Sequence, residues 1–245
     1  MVTAAQLSKL VSNETIVVQG QLEDASNATF LCTLGDVQVV YKPVSGENPL
    51  WDFPPHTLSR REVLASQVDQ LLGWDLVPTT VWVDRAPFGP GSLQIFIENS
   101  EICDVGVFKP DDVPEDWVAV FEGQVDQESV LVAHAVNEDV LKVAVFDAII
   151  NNADRKGGHI FRDAAQHLWA IDHGVCFHPQ FKLRSVLWGW LGQPLPDAMV
   201  LDVQRLQSTL PTLKWPLSEA EFHACGQRID DILAHGLPMP SPHWP

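Results

Sequence analysis

The sequence predicts an α+β fold in two lobes, a β-rich front and a helix-rich back. Two observations predict it. Residues 15–98 spell β-β-β-α-β-β, as short apolar segments separated by turn formers. The later residues carry three long helical patterns, 138–152, 197–210 and 218–236, around one short polar hairpin. The length of 245 residues suits one large domain or two modest lobes, and 46% hydrophobic residues suffice for a sizeable core. The expected lobes are 1–99 and 100–245, joined near Glu98–Glu101, with a ligand cleft between them.

Each element has its own signal. Residues 3–12 read as a short lead helix. "ETIVVQGQL", "ATFLCTL" and "DVQVVYKP" are β-rich, and "EDASNAT" between the first two is a loop of small polar residues. "SGENPLWDFPPHT" holds Pro, Gly and Asn and reads as loop. "LSRREVLASQVDQLLG" is a helix with Leu58, Val63, Leu64, Val68, Leu71 and Leu72 near one stripe and Gly73 as its stop. "TTVWVDR" and "LQIFIEN" return to strand, and "DVGVFKP" is a strand or an extended connection. "EDVLKVAVFDAIINN" is helical, with Leu141, Val145, Ala148 and Ile149 on one side. "GHIFRD" and "HLWAIDHG" are short strands around a turn at Ala164–Gln166. "DAMVLDVQRLQSTL" and "SEAEFHACGQRIDDILAHG" are helices, and the proline-rich tail "LPMPSPHWP" is coil.

Charge narrows the function. Fifteen Lys and Arg stand against 32 acids, for a formal charge of -17. That excess repels phosphate backbones and anionic headgroups, so neither nucleic acid nor stable membrane attachment is expected. No apolar stretch reaches the roughly 18 residues of a spanning helix. The N-terminus has no long apolar run of the secretory kind. Cys32, Cys103, Cys176 and Cys225 form no C-x-x-C pair and read as reduced thiols. A cytoplasmic protein is the expectation.

The chemistry-bearing positions lie at element ends. Lys42 closes the strand "VQVVYKP", where a lysine either projects into solvent or reaches a partner. Glu62 lies twenty residues on, in the first turns of the next helix. A helix packed behind the sheet brings its carboxylate to the ammonium and holds the lysine towards a nucleotide's phosphates; the alternative is a solvated first-turn acid. The neighbouring Arg61 reads as an acid-pairing residue outside this chemistry. Asp154 follows a helix terminus and is suited to orient a hydroxyl and accept its proton. Asp172, eighteen residues later, ends an apolar strand before His173-Gly174, where a carboxylate can reach Mg²⁺. Either aspartate alone is more often a turn former.

These residues carry a resemblance. "VVYKP", "RREVLASQVDQLLGWDLVPTTV", "VFDAIINNADRKGGHI", "AIDHGVCFH" and "KLRSVLWGW" resemble the phosphatidylinositol 3/4-kinase-related branch of the protein-kinase-like fold, from about Gly20 to Pro196. More closely, the chain is similar to an actinobacterial phosphatidylinositol 3/4-kinase-like family. The resemblance implies a bilobal protein-kinase-like fold and an ATP-dependent phosphotransferase using Mg²⁺ or Mn²⁺. It implies that Lys42 contacts the α/β-phosphates and Glu62 anchors Lys42. It implies that the "EDASNAT" loop, through Ser26 and Asn27, covers the nucleotide, and that backbone groups near Phe96 and Glu98 read adenine. Asp154 is then the catalytic base and Asp172 the metal ligand.

The chain departs from the kinase pattern at His159, which stands five residues after Asp154 where an asparagine is expected as second metal ligand. Histidine suits Mn²⁺ better than Mg²⁺. The covering loop also lacks glycines, leaving Ser26, Asn27 and Thr29 for phosphate contact. These departures admit two alternatives, a nucleotide-binding pseudokinase with a regulatory role and an adenylyl transferase on the same fold. The acceptor is a protein, a lipid or a small molecule. For it, Lys182, Arg184 and Trp188 in "KLRSVLWGW" offer bases and an indole, or else a packing element. Arg155 and Lys156 either hold phosphate or bond carbonyls at a helix end. His159, His167, His173, Cys176 and His178 invite a zinc reading, which the lack of two spaced ligand pairs disfavours.

Overall fold

The computed structural model describes residues 2–22, 26–100 and 102–240. The chain opens with α1 (Ala4–Asn13), started by a capping box in which Thr3 and Gln6 satisfy each other's backbone N–H groups. Five strands follow: β1 (Ile16–Gln21), β2 (Phe30–Leu34), β3 (Val37–Pro43), β4 (Thr80–Val83) and β5 (Gly91–Ile95). They form one antiparallel sheet in the order β1-β2-β3-β5-β4. Alternation along β3 buries Val39, Tyr41 and Pro43. With Leu7, Cys32, Leu34, Val83 and Leu93, the inward residues build a small core between the sheet and α1.

Between β3 and β4 runs α2 (Leu58–Leu72), ended by Gly73 in the left-handed region. It buries far more than one stripe: Ser59, Arg61, Glu62, Ser66 and Asp69 are buried beside Leu64, Val68 and Leu72. The helix lies between the sheet and the second half of the chain, touching β4, β5 and α4 (Asp197–Thr209). A helix covered on most of its faces can bury polar residues only where each finds a partner, and most of these do.

The larger core surrounds α3 (Glu138–Ile150), which is buried on nearly every face. α5 (Glu219–His235) packs on it, and α4 packs on α5 and α2. The short strands β9 (Ile160–Arg162) and β10 (Leu168–Ala170) pair antiparallel as expected. β6 (Val105–Phe108), the strand reading of "DVGVFKP", joins β7 (Trp117–Val125) and β8 (Glu128–Ala135), which have no counterpart in the sequence reading, in a three-stranded sheet of order β6-β8-β7. Asp126 and Gln127, both at positive φ, make the tight turn of its long hairpin. Among the described residues no helix is long and apolar enough to cross a membrane. Cys32, Cys176 and Cys225 are buried free thiols, and Cys103 is exposed.

Candidate active site

Strand, helix and hairpin ends meet at Lys42. Its Nζ donates to Glu62 Oε1 and, at 3.0 Å, to Asp172 Oδ1. Glu62 Oε2 accepts the His173 N–H at 2.9 Å, so both carboxylate oxygens are engaged and the side chain is shut from solvent. Burial alone would lower the Lys42 ammonium, but Asp172 and Glu62 outweigh it and hold it above the ordinary lysine range. The Lys42 charge in turn holds the Asp172 carboxyl well below the usual carboxylate range.

Local chemistry sets α2 at this distance. Thr57 makes no side-chain cap. Glu47 replaces it, accepting the N–H groups of Leu58 (3.2 Å) and Ser59 (2.8 Å), where a carboxylate also meets the positive helix end. Ser59 Oγ donates to Glu47 at 2.7 Å and is 3.1 Å from the Lys42 carbonyl, which couples the helix start to the strand end. One residue before Glu62, Arg61 is wholly buried and donates to Glu221 (2.5 Å) and to the Cys176 carbonyl (2.6 Å). It ties α2 to α5 and to the segment after Asp172.

The second half supplies the carboxylates. Asn151 ends α3 in the left-handed conformation. Its amide donates to the carbonyls of His178 (2.9 Å) and Gln180 (2.7 Å), and its Oδ1 accepts the Lys182 N–H at 2.8 Å. Asp154 is partly exposed and pairs with Lys156 at 2.9 Å. Asp172 adopts φ 63°, a conformation that aspartate tolerates better than most residues. His159 Nε2 lies 3.4 Å from Asp172 Oδ2. Burial pushes the His159 imidazole down to about 4, so it is neutral near pH 7 and its nitrogen is available as a ligand.

These groups line one cleft of about 970 Å³. Ser26, Asn27, Lys42, Glu62, Phe96, Asp154, Lys156, His159, Asp172, Lys182 and Arg184 all border it. Asn27 is steadied by the Asn48 N–H at 2.7 Å, while residues 23–25 of the covering loop and Glu101 of the expected junction lie outside the described residues. Three expectations need correction. Arg155 cannot hold an acceptor: it is fully buried, forked onto Asp147 (2.8 Å twice), and donates to the Ile171 carbonyl (2.8 Å) and His173 Nε2 (2.8 Å). Trp188 does not border the cleft; its indole packs on Phe121 and donates to the Ser185 carbonyl. Glu98 is exposed and outside the cleft lining, and the Phe96 N–H is taken by the Gln38 carbonyl at 3.0 Å.

The histidines and Cys176 go separate ways. His173 is buried against Arg155 and Phe146. His178 contacts the Asp52 carbonyl at 3.0 Å and Phe53, and His167 the Asp75 carbonyl at 2.7 Å. Among the described residues no three such side chains converge as a metal cluster. Missed altogether were Glu47 and Trp51, which come from "SGENPLWDFPPHT", a segment that read only as loop.

No family model matches the chain. Protein Rv2133c of Mycobacterium tuberculosis is 38% identical over 261 residues, covering 96% of this chain and 92% of that protein. The chain belongs to the Rv2133c family. The crystal structure of the Helicobacter pylori proinflammatory kinase CtkA matches at a TM-score of 0.50 with 12% identity, over 91% of this chain and 93% of that one. At that identity the likeness speaks for the fold: this Rv2133c-family chain has the bilobal α+β kinase-like fold, β-rich in front and mainly helical behind.

Proposed function

We propose that the protein is an ATP-dependent phosphotransferase that moves a phosphoryl group to an acceptor hydroxyl. One observation carries this reading: the Lys42 ammonium, from the front sheet, bridges Glu62 of α2 and Asp172 of the back half at a cleft that Asp154 also borders. In this reading residues 1–99 cover the nucleotide and 100–245 carry the catalytic and metal-holding groups. Lys42 steadies the α/β-phosphates, and Glu62 keeps it extended. Ser26 and Asn27 close over the triphosphate, and Phe96, which borders the cleft, meets the base.

The donor set fits a divalent cation. Asp172 offers an ionised carboxylate at the cleft and His159 a neutral nitrogen 3.4 Å away. Two protein ligands suffice where phosphate oxygens and water supply the rest. Mg²⁺ or Mn²⁺ held there would neutralise charge on the β- and γ-phosphates. Asp154 takes the acceptor's proton, and Lys156 is the cation beside it at 2.9 Å. His159 also supports a second reading, a nucleotide-binding pseudokinase, because it replaces the oxygen ligand expected there. In this reading the chain is a member of a phosphatidylinositol 3/4-kinase-like branch.

The test is Asp172→Ala beside the wild type. Thermal shift with ATP and each metal reports binding, and mass analysis of products reports the group transferred. Metal-dependent turnover lost in Asp172→Ala is the expected result. Full activity in that variant refutes the metal assignment. Binding without turnover in the wild type favours the pseudokinase, and an adenylyl mass on the product overturns phosphoryl transfer.

A further inference from the structure

The cations shielded in this acidic chain are nearly all matched. Arg61 meets Glu221, Arg155 meets Asp147, Arg162 meets Asp104 and Lys182 meets Asp52. Arg228 donates through Nε and Nη1 to the Ile149 and His178 carbonyls, leaves Nη2 without an acceptor, and lies away from the cleft. Arg184 is different. It borders the cleft, is partly buried, and has no carboxylate partner among the described residues. Its Nε is shielded from water and meets no acceptor. A guanidinium left so in a chain of net charge -17 is a receptor for a planar or tetrahedral anion.

Its backbone says where that anion sits. The Arg184 N–H donates to the Asn152 carbonyl at 2.8 Å, and the Arg155 N–H donates to the Arg184 carbonyl at 3.2 Å. Arg184 therefore runs alongside residues 152–155, and Asp154 lies between the two anchors. The cleft has room for a second molecule: about 970 Å³ is at the upper end of small-ligand sites, which span about 300–1,000 Å³. Trp51 borders the same cleft with 93% of its surface exposed, and Lys182 Nζ stands 5.3 Å from its ring. An exposed indole beside a cation offers a flat face for a sugar or an aromatic ring.

Resting on the phosphotransferase reading, we infer that Arg184 anchors the acceptor, and that the acceptor is a small soluble hydroxyl compound bearing a phosphate or carboxylate, its ring laid against Trp51. The anion on Arg184 sets the acceptor hydroxyl beside Asp154. The O–H bond breaks as the proton passes to Asp154. The freed oxygen bonds the terminal phosphorus, and the bond from that phosphorus to the bridging oxygen breaks, its electron pair leaving with ADP.

The test uses the full chain with saturating ADP and Mn²⁺. Glucose 6-phosphate, shikimate and phenyl phosphate are titrated by tryptophan fluorescence, and vesicles containing phosphatidylinositol phosphate are offered separately. At least one soluble probe binds the wild type. Arg184→Gln weakens it by about tenfold or more, and Arg184→Lys by less. ATP affinity, read by thermal shift, stays within about twofold in both, which also shows that the variants fold. Equal probe affinity in Arg184→Gln overturns the inference. So does a variant that loses ATP but not ADP, because Arg184 would then contact the nucleotide's terminal phosphate. Vesicle capture without any soluble response overturns the small-molecule assignment. A wild type that binds no ATP refutes the phosphotransferase reading itself, and the anion site is then judged on the probe titration alone.

Discussion

Arg61 gives the sharpest test of how the site is held together. Its side chain has no exposure, and its partner Glu221 has almost none. Replacing Arg61 with Met removes a cation and leaves a carboxylate buried. Breaking one side of such a pair costs about 3–5 kcal/mol. Glu221 keeps the Ser218 hydroxyl at 2.6 Å and N–H at 2.9 Å on its other oxygen, which favours the lower half of that range. The Cys176 carbonyl also loses a donor. We expect Arg61→Met to lose about 3–4 kcal/mol in urea unfolding followed by tryptophan fluorescence, with the slope unchanged. For a chain of this size that is roughly a 10 °C fall in Tm. Adding Glu221→Gln should recover about 1 kcal/mol or more, because the stranded charge is gone. A single variant within about 1 kcal/mol of wild type, or a double variant no better than the single, would refute the argument.

Three further outcomes follow from particular contacts. A Cβ at Gly91 would collide with the Lys42 carbonyl and lie 2.8 Å from Pro43 Cα; Gly91→Ala should cost about 2–3 kcal/mol, whereas Gly20→Ala, with open space around it, should stay within about 0.5 kcal/mol. Asp69 is buried on α2, and burial pushes its carboxyl from 3.8 up to about 7. The folded state then keeps a proton that the unfolded chain has released, so Asp69 subtracts stability as pH rises from about 4 to about 7. Asp69→Asn should gain on the wild type across that window and hold a constant lead above it, and parallel urea-midpoint curves would count against the shift. His159→Asn exchanges a nitrogen donor for an oxygen; with ADP present, thermal shifts should move in favour of Mg²⁺ over Mn²⁺ by about tenfold in relative affinity, and an unchanged preference would remove His159 from the metal site.

Much of the site was legible because its residues sit at element ends. Lys42 closes an alternating strand, Glu62 lies in the second turn of a helix, Asp154 follows a helix and Asp172 a strand. Local pattern announces such ends, and the four meet at one cleft. What stayed hidden depends on which of two adjacent polar residues turns inward. Arginine is mostly exposed in proteins, so Arg155 read as a phosphate or helix-end residue. Its buried acceptor is Asp147, eight residues earlier on α3, a helix hydrophobic enough to conceal that role. The β7–β8 hairpin escaped for another reason. Its turn is Asp-Gln rather than a glycine pair, and β7 is only partly covered, so neither the turn signal nor clean alternation was strong.

The pairing of Arg155 with His173 explains why buried charge is tolerated beside the cleft. Asp154 precedes Arg155, and Asp172 precedes His173. In each dipeptide the carboxylate borders the cleft while its neighbour is buried. The two buried neighbours meet at 2.8 Å, and since the arginine can only donate, His173 Nε2 accepts and its proton resides on Nδ1. Burial and the nearby guanidinium both push His173 well below its ordinary range, which keeps it in that neutral form. Arg155 also holds Asp147 and the Ile171 carbonyl, and the Asn152 amide donates to Asp147 at 2.9 Å. α3, the loop after it and the strand end before Asp172 therefore share one buried knot. Its desolvation cost is offset by hydrogen bonds on nearly every donor. The separation of the two cleft carboxylates is thus set from beneath, by residues shut from solvent and outside the cleft lining.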